Sequence, residues 1–189
     1  MAEQLSLCVF EVKQPNPIFF AIRPDAETAS WIASLANSLR DRHGLRGKLI
    51  DPARLHITLH LVGHEGRFPE SRIEDARQAA ATVAMPPFKI ELDRATSFPS
   101  REHPFVLKGG KGVEGVTALH QALGDAMKRA GLPKVGSSVT PHMTLLYSDR
   151  DIAEHAVEPV SWLVDRFFLV RSHYGKSRHE MMGEWSLRG

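Results

Sequence analysis

The sequence predicts a mixed α+β domain built from a duplicated lobe, on three observations. Short strand-like runs alternate with helical stripes along the whole chain. A four-residue pattern occurs twice, as His56-Ile57-Thr58-Leu59 and His142-Met143-Thr144-Leu145. Phe19 precedes His56 by the same interval, 37, as Phe105 precedes His142 (56 − 19 and 142 − 105). Both intervals read strand, helix, loop, motif strand, which argues for a repeated unit.

In chain order, residues 5–12 alternate as a strand, and Pro15-Asn16-Pro17 marks a turn. Ile18 to Ile22 (IFFAI) is a buried strand. Asp25 is the expected N-cap of a helix whose apolar face is Trp31, Ile32, Leu35 and Leu39, and Gly44 is its stop. Leu55 to Val62 is the first motif strand. Pro69 to Ala84 reads as a second helix, ended by Pro86-Pro87, and strands follow at Phe88–Leu92 and Pro104–Lys108. Gly109-Gly110-Lys111-Gly112 lacks the spacing and ending of a phosphate loop and is read as a turn. Val116, Leu119, Leu123, Met127 and Ala130 stripe a third helix, ended by Gly131 and Pro133. Thr140 to Tyr147 carries the second motif. Trp162 to Arg171 and Met181 to Leu187 are closing strands, turning near Gly175.

The composition bounds the function. With 189 residues and 42% hydrophobic content, the chain can bury a real core. No apolar run approaches the roughly 20 residues that span a bilayer, and the N-terminus has no signal-peptide pattern. Cys8 is the sole cysteine, which excludes an internal disulfide and a cysteine zinc cage. These features point to a cytoplasmic protein without membrane partners. A net charge of +2 is small for a long phosphate-tracking groove but sufficient for gripping one terminal phosphate.

The repeated motif carries chemistry because strand residues i and i+2 share a face, about 6–7 Å apart. His56 and Thr58 then share one face, with Leu55, Ile57, Leu59 and Leu61 on the other. His142 and Thr144 share a face, with Met143 and Leu145 behind. If the repeated units face each other across a pseudo-twofold axis, two imidazoles and two hydroxyls converge. Histidine can serve as acid or base near neutrality. Hydroxyls can donate to the non-bridging oxygens of a phosphate, where charge collects. No metal or cofactor is needed. His56, His60 and His64 have zinc-like spacing only on a helix; on a strand, His56 and His60 are roughly 13 Å apart, and His60 is expected at the surface, with the cleft rim as the alternative. His43, near a helix C-terminus, is expected to complement the dipole. Phe98 and Tyr174 lie near strand ends where aromatics could stack a base, although packing explains Phe98 as well.

In these motifs, and in FFAI, RLHITLHLVG, ALHQAL, TPHMTLLY, VDRFFLVRS and GEWSL, the chain resembles the 2H phosphoesterase superfamily, in particular the bacterial RNA 2′,3′-cyclic phosphodiesterases historically called 2′-5′ RNA ligases. The resemblance runs from about Ile18 onward. It implies a single α+β domain over residues 1–189, bilobal and duplicated, with two antiparallel sheets flanking a central cleft and helices on the outer faces. It implies metal-independent hydrolysis of RNA 2′,3′-cyclic phosphate ends to 2′-phosphomonoesters. His56 would be the acid, His142 the base, and Thr58 and Thr144 the holders of phosphate oxygens. Relatives often carry an arginine where this chain has Tyr147. Tyr147 and Arg150 are therefore the candidate substrate contacts, with Arg171 and Lys176 behind them. The expected partner is RNA with a 2′,3′-cyclic phosphate end, or a nucleotide, bound by a monomer. The alternatives are a phosphodiesterase for a small nucleotide, such as cyclic ADP-ribose phosphate or a 2′-5′ oligonucleotide, and a non-catalytic RNA- or nucleotide-binding module.

Overall fold

The computed structural model describes residues 16–132, 140–173 and 175–189. Its strands are β1 (Pro17–Ile22), β2 (Ile57–His64), β3 (Phe88–Ser97), β4 (Pro104–Lys108), β5 (His142–Tyr147), β6 (His155–Val164), β7 (Arg166–His173) and β8 (Arg178–Ser186). Its helices are α1 (Ala26–His43), α2 (Ser71–Ala81) and α3 (Glu114–Arg129), with a 3-10 turn at Pro52–Arg54. The expected strand at residues 5–12 and the Tyr174 side chain lie outside the described residues.

All eight strands join one antiparallel sheet in the order β6-β3-β4-β5-β2-β1-β7-β8. Instead of two separate sheets, two four-stranded halves meet at the β5–β2 seam, where the single register pair is Ile57 with Met143. The sheet is not flat. β6 stands at one edge and β7 next to the other, yet Asp165 alone separates them in sequence. Three consecutive residues cannot span a flat eight-stranded sheet, so it must curl until those regions adjoin. The sequence shows WLVDRFFLVR as one strand; Asp165 breaks it, and its carbonyl accepts from Leu187 N–H at 2.7 Å. Most of β6 escaped notice because it is a polar edge strand interrupted by Pro159.

The helices obey local rules. Asp25 caps α1 through its carboxylate, 2.8 Å from Thr28 N, and Gly44 closes it at φ 59°. The buried face of α1 is Ala29, Ile32, Ala36 and Leu39. Trp31, expected in that stripe, is 38% exposed. α3 buries Val116, Leu119, Leu123 and Met127 as expected, whereas Ala130 is its exposed C-cap. α2 packs on α3, and α3 lies against β2 and β3. The main core joins these helices to Ile18, Phe20, Ile57, Leu59, Phe105, Met143 and Leu145 on one face of the sheet.

Two register shifts between β1 and β2 correct the expected alternation. Each adds a residue to β2, and a one-residue slip reverses the facing of everything beyond it. Val62 thus enters the main core, and Leu61 joins a second cluster with Phe19, Ala21 and Val170. His60, expected at the surface, is 3% exposed; its Nε2 donates to His120 O at 2.8 Å, and the two rings stack. The expected counterparts in the two motif regions also shift by one residue. Thr58 pairs with Ala21 and Thr144 with Val106, so Phe105 corresponds to Phe20 rather than Phe19.

Candidate active site

The β5–β2 seam assembles the site. Ile57 and Met143 face each other with their side chains in the core. Antiparallel register from that pair sets His56 beside Thr144 and Thr58 beside His142. All four have the opposite parity and share the other face. Core packing behind the seam therefore aims the four polar groups in front of it.

Both histidines are oriented alike. His56 Nδ1 donates to Arg54 O, and His142 Nδ1 donates to Thr140 O, each at 2.7 Å. A carbonyl can only accept, so each Nδ1 carries the proton and each Nε2 is left for proton transfer. In both motifs the acceptor lies two residues upstream. Neither Thr58 nor Thr144 makes a side-chain hydrogen bond among the described residues.

The surroundings of the two rings differ. Phe19 stacks on His56 at 5.0 Å, and His179 of β8 meets it edge-on at 5.1 Å. Burial, opposed by the bond to Arg54 O and reinforced by Arg54, Arg23 and His142, lowers the His56 pKa to about 4. Burial and the adjacent His56 lower His179 to about 3. His142 has Phe98 edge-on at 4.8 Å. A charge on His142 thus disfavours protonation of His56.

An open cleft of about 570 Å³ is lined by Arg54, two residues before His56, although neither motif histidine is among its lining residues. One wall is Arg54, Glu102, Tyr147 and Ser148; the other is Ser172, His173 and the turn at Gly175 and Ser177. Tyr147 is 49% exposed, and its pKa is raised by burial of the hydroxyl and by Glu102, with Arg54 opposing. Tyr147 is therefore at the cleft. Arg150 is not among its lining residues: its Nη2 donates to Gly44 O at 2.9 Å and its Nε lies 3.6 Å from Asp149. Arg171 is committed to Glu65 and Glu180. A larger groove, about 720 Å³, opens beside the start of α1 and is lined by Arg23, Asp25, Ala53 and Phe168.

Sequence reading passed over Arg54, Arg23, Phe19 and His179 as site residues. Arg54 stood two residues from the motif, but the 3-10 turn that positions it leaves no periodic signature. His179 reaches His56 only through the β1–β7–β8 pairing, which no local pattern reports. His43, assigned to the helix dipole, instead lies 3.2 Å from His155 Nε2 to Nε2, and burial and His155 lower its pKa. Among the described residues, no group of three or more histidine, cysteine or acidic side chains could hold a metal. No described helix is long and apolar enough to cross a membrane.

An α+β chain with two His-x-Thr strands meeting at one seam has the architecture of a 2H phosphoesterase. The profile of the 2′-5′ RNA ligase superfamily matches residues 24–176, and the chain belongs to that family. It is 33% identical over 95 residues to an RNA 2′,3′-cyclic phosphodiesterase of Archaeoglobus fulgidus, covering 49% of this chain and 52% of that protein. The chain thus spans about half the length of that curated relative. The fold is similar to that of E. coli LigT in its apo form, with TM-score 0.74 and 22% identity over 93% of this chain and 99% of that one. LigT complexed with 3′-AMP superimposes with TM-score 0.74 at 23% identity, covering 93% and 100%. A protein of Thermus thermophilus gives 0.73 at 23% identity, covering 92% and 98%.

Proposed function

We propose that this protein hydrolyses 2′,3′-cyclic phosphates at RNA ends to 2′-phosphomonoesters by metal-independent acid–base catalysis. The observation that carries the proposal is the matched pair of Nδ1-to-carbonyl bonds, 2.7 Å each, on one face of the seam. They make two imidazoles of one tautomer available to a single phosphate from two sides.

In the reaction, one histidine takes a proton from water as its oxygen bonds to phosphorus. The P–O3′ bond breaks, and the other histidine protonates the departing 3′ oxygen. The phosphate stays on the 2′ oxygen, and solvent returns each histidine to its starting state. Thr58 and Thr144 donate to the non-bridging oxygens as negative charge builds there.

The resemblance gives the acid's role to His56, but the local electrostatics favour the reverse. With a pKa lowered to about 4, His56 is neutral in the free protein at neutral pH. A neutral imidazole can accept the proton of water but has none to spare on Nε2. We therefore assign the base to His56 and the acid to His142. When Nε2 is protonated, the Arg54 carbonyl already holds the opposite N–H of the imidazolium.

The test is hydrolysis of an oligonucleotide with a 2′,3′-cyclic phosphate in excess EDTA. His56→Ala and His142→Ala should each lose about 10²-fold or more. The product should carry a 2′-phosphate. EDTA-sensitive activity, full activity in either variant, or a 3′-phosphate product would overturn the mechanism.

A further inference from the structure

The site's positive charge is not accounted for by the two motifs. Around His56 stand Arg23, Arg54, His142 and His179, each of which disfavours its protonation or has its own charge disfavoured by it. Glu102 is the one carboxylate lining the cleft, and it forms no ion pair with Arg54 among the described residues. The neighbourhood is built from cations and neutral groups, with little to balance a guanidinium.

Arg54 is the best placed of these. It ends the 3-10 turn Pro52–Arg54, on an arch tied to β5 at both ends. Ile50 N–H donates to Leu145 O at 2.7 Å before the arch, and Ile57 pairs with Met143 after it. Arg54 lines the cleft together with Tyr147, the last residue of β5. Its charge is felt by His56, His179 and Tyr147. Its Nε is buried and makes no hydrogen bond among the described residues. Arg23 and Arg171 also have a buried Nε without a hydrogen bond, but Arg23 donates to Ala53 O and lines the separate groove beside α1, and Arg171 pairs with Glu65 and Glu180. A partly buried guanidinium with no counter-ion is costly unless an anion joins it. Its planar fork suits two phosphate oxygens at once.

We infer that Arg54 is the phosphate anchor of this site, binding the non-bridging oxygens of the phosphate held between His56 and His142. The inference rests on the proposed phosphodiesterase reading. It gives Arg54 two tasks: its backbone carbonyl sets the tautomer of His56, and its side chain neutralises the substrate.

The test separates those tasks, because substitution removes the side chain and keeps the carbonyl. Inorganic phosphate is titrated into wild type, Arg54→Gln, Arg54→Lys and the double variant Arg54→Gln/Tyr147→Arg by calorimetry, with histidine ¹⁵N shifts recorded in parallel. Arg54→Gln should weaken phosphate binding about tenfold or more, with His56 keeping its tautomer. Arg54→Lys, or the arginine placed on the same wall at position 147, should recover part of the loss. Phosphate binding within twofold of wild type in Arg54→Gln overturns the inference. So does a loss that neither restored charge recovers, or a changed His56 tautomer, since both mean a structural role. Arg54-dependent phosphate binding in a wild type that hydrolyses no cyclic phosphate would sink the proposed activity alone. Hydrolysis by wild type with KM unchanged in Arg54→Gln would sink this inference alone.

Discussion

Folding makes His56 harder to protonate, and that has a measurable cost in acid. Its pKa is lowered from 6.5 to about 4, with burial the largest cause. In the unfolded chain it binds a proton below its ordinary value; in the folded protein it resists until pH falls much further. Between those limits the unfolded state holds more protons, so stability declines as pH falls. At 1.36 kcal/mol per unit, the loss due to His56 is about 2 kcal/mol at pH 5 and about 3 kcal/mol at pH 4, relative to neutral pH. His56→Asn removes the titrating group and keeps a polar, uncharged side chain. Urea unfolding of wild type and His56→Asn at pH 7.5 and pH 5 isolates the contribution. Wild type should lose about 2 kcal/mol more than the variant between the two. An equal loss in both would show that His56 is not held neutral by the fold, and the assignment of His56 as the base would fall with it. A histidine NMR titration gives the same answer directly, since a His56 midpoint at or above pH 6 refutes the reasoning.

Replacing either motif hydroxyl isosterically, as Thr58→Val or Thr144→Val, should lower kcat about 10²-fold with little change in unfolding free energy; unchanged kcat in both would remove the threonines from the mechanism. Gly47→Ala should destabilise the protein by about 1–3 kcal/mol, because its Cβ would overlap Tyr147 O and sit 2.8 Å from Leu146 Cδ1. That displacement falls at the end of β5 beside Arg54, so KM for the cyclic phosphate should also rise, and unfolding together with steady-state kinetics would check both.

Much of the local structure was legible. Asp25 and Gly44 bracket α1 by rules that need only neighbouring residues. The stripe of α3 was visible because its partners are spaced at the helical period. Legibility failed where facing depends on a partner strand. Leu61 and His60 are on unexpected faces because β2 bulges against β1, and nothing in LHLVGH announces a bulge. Phe19 and Phe105 looked like counterparts at equal spacing, yet one stacks on His56 and the other is in the core. Arg150 looked closer to the chemistry than Arg54 because it follows the second motif in sequence. In space it runs back to the end of α1.

By itself, the sequence determined which groups are offered together for chemistry. Two His-x-Thr strands with apolar residues between the polar ones must show an imidazole and a hydroxyl on one face, because strand periodicity is a property of the backbone. The tertiary structure decided everything that depends on who stands beside whom. Pairing across the seam set His56 by Thr144 and Thr58 by His142. The curl of the sheet brought β8, with His179, against His56, and the arch on β5 brought in Arg54. Those neighbours, not the motif, set the solvation and charge around each imidazole. Two nearly identical motifs thereby acquire unequal environments: His56 stacks on Phe19 beside His179 with its pKa lowered, whereas His142 meets Phe98 edge-on.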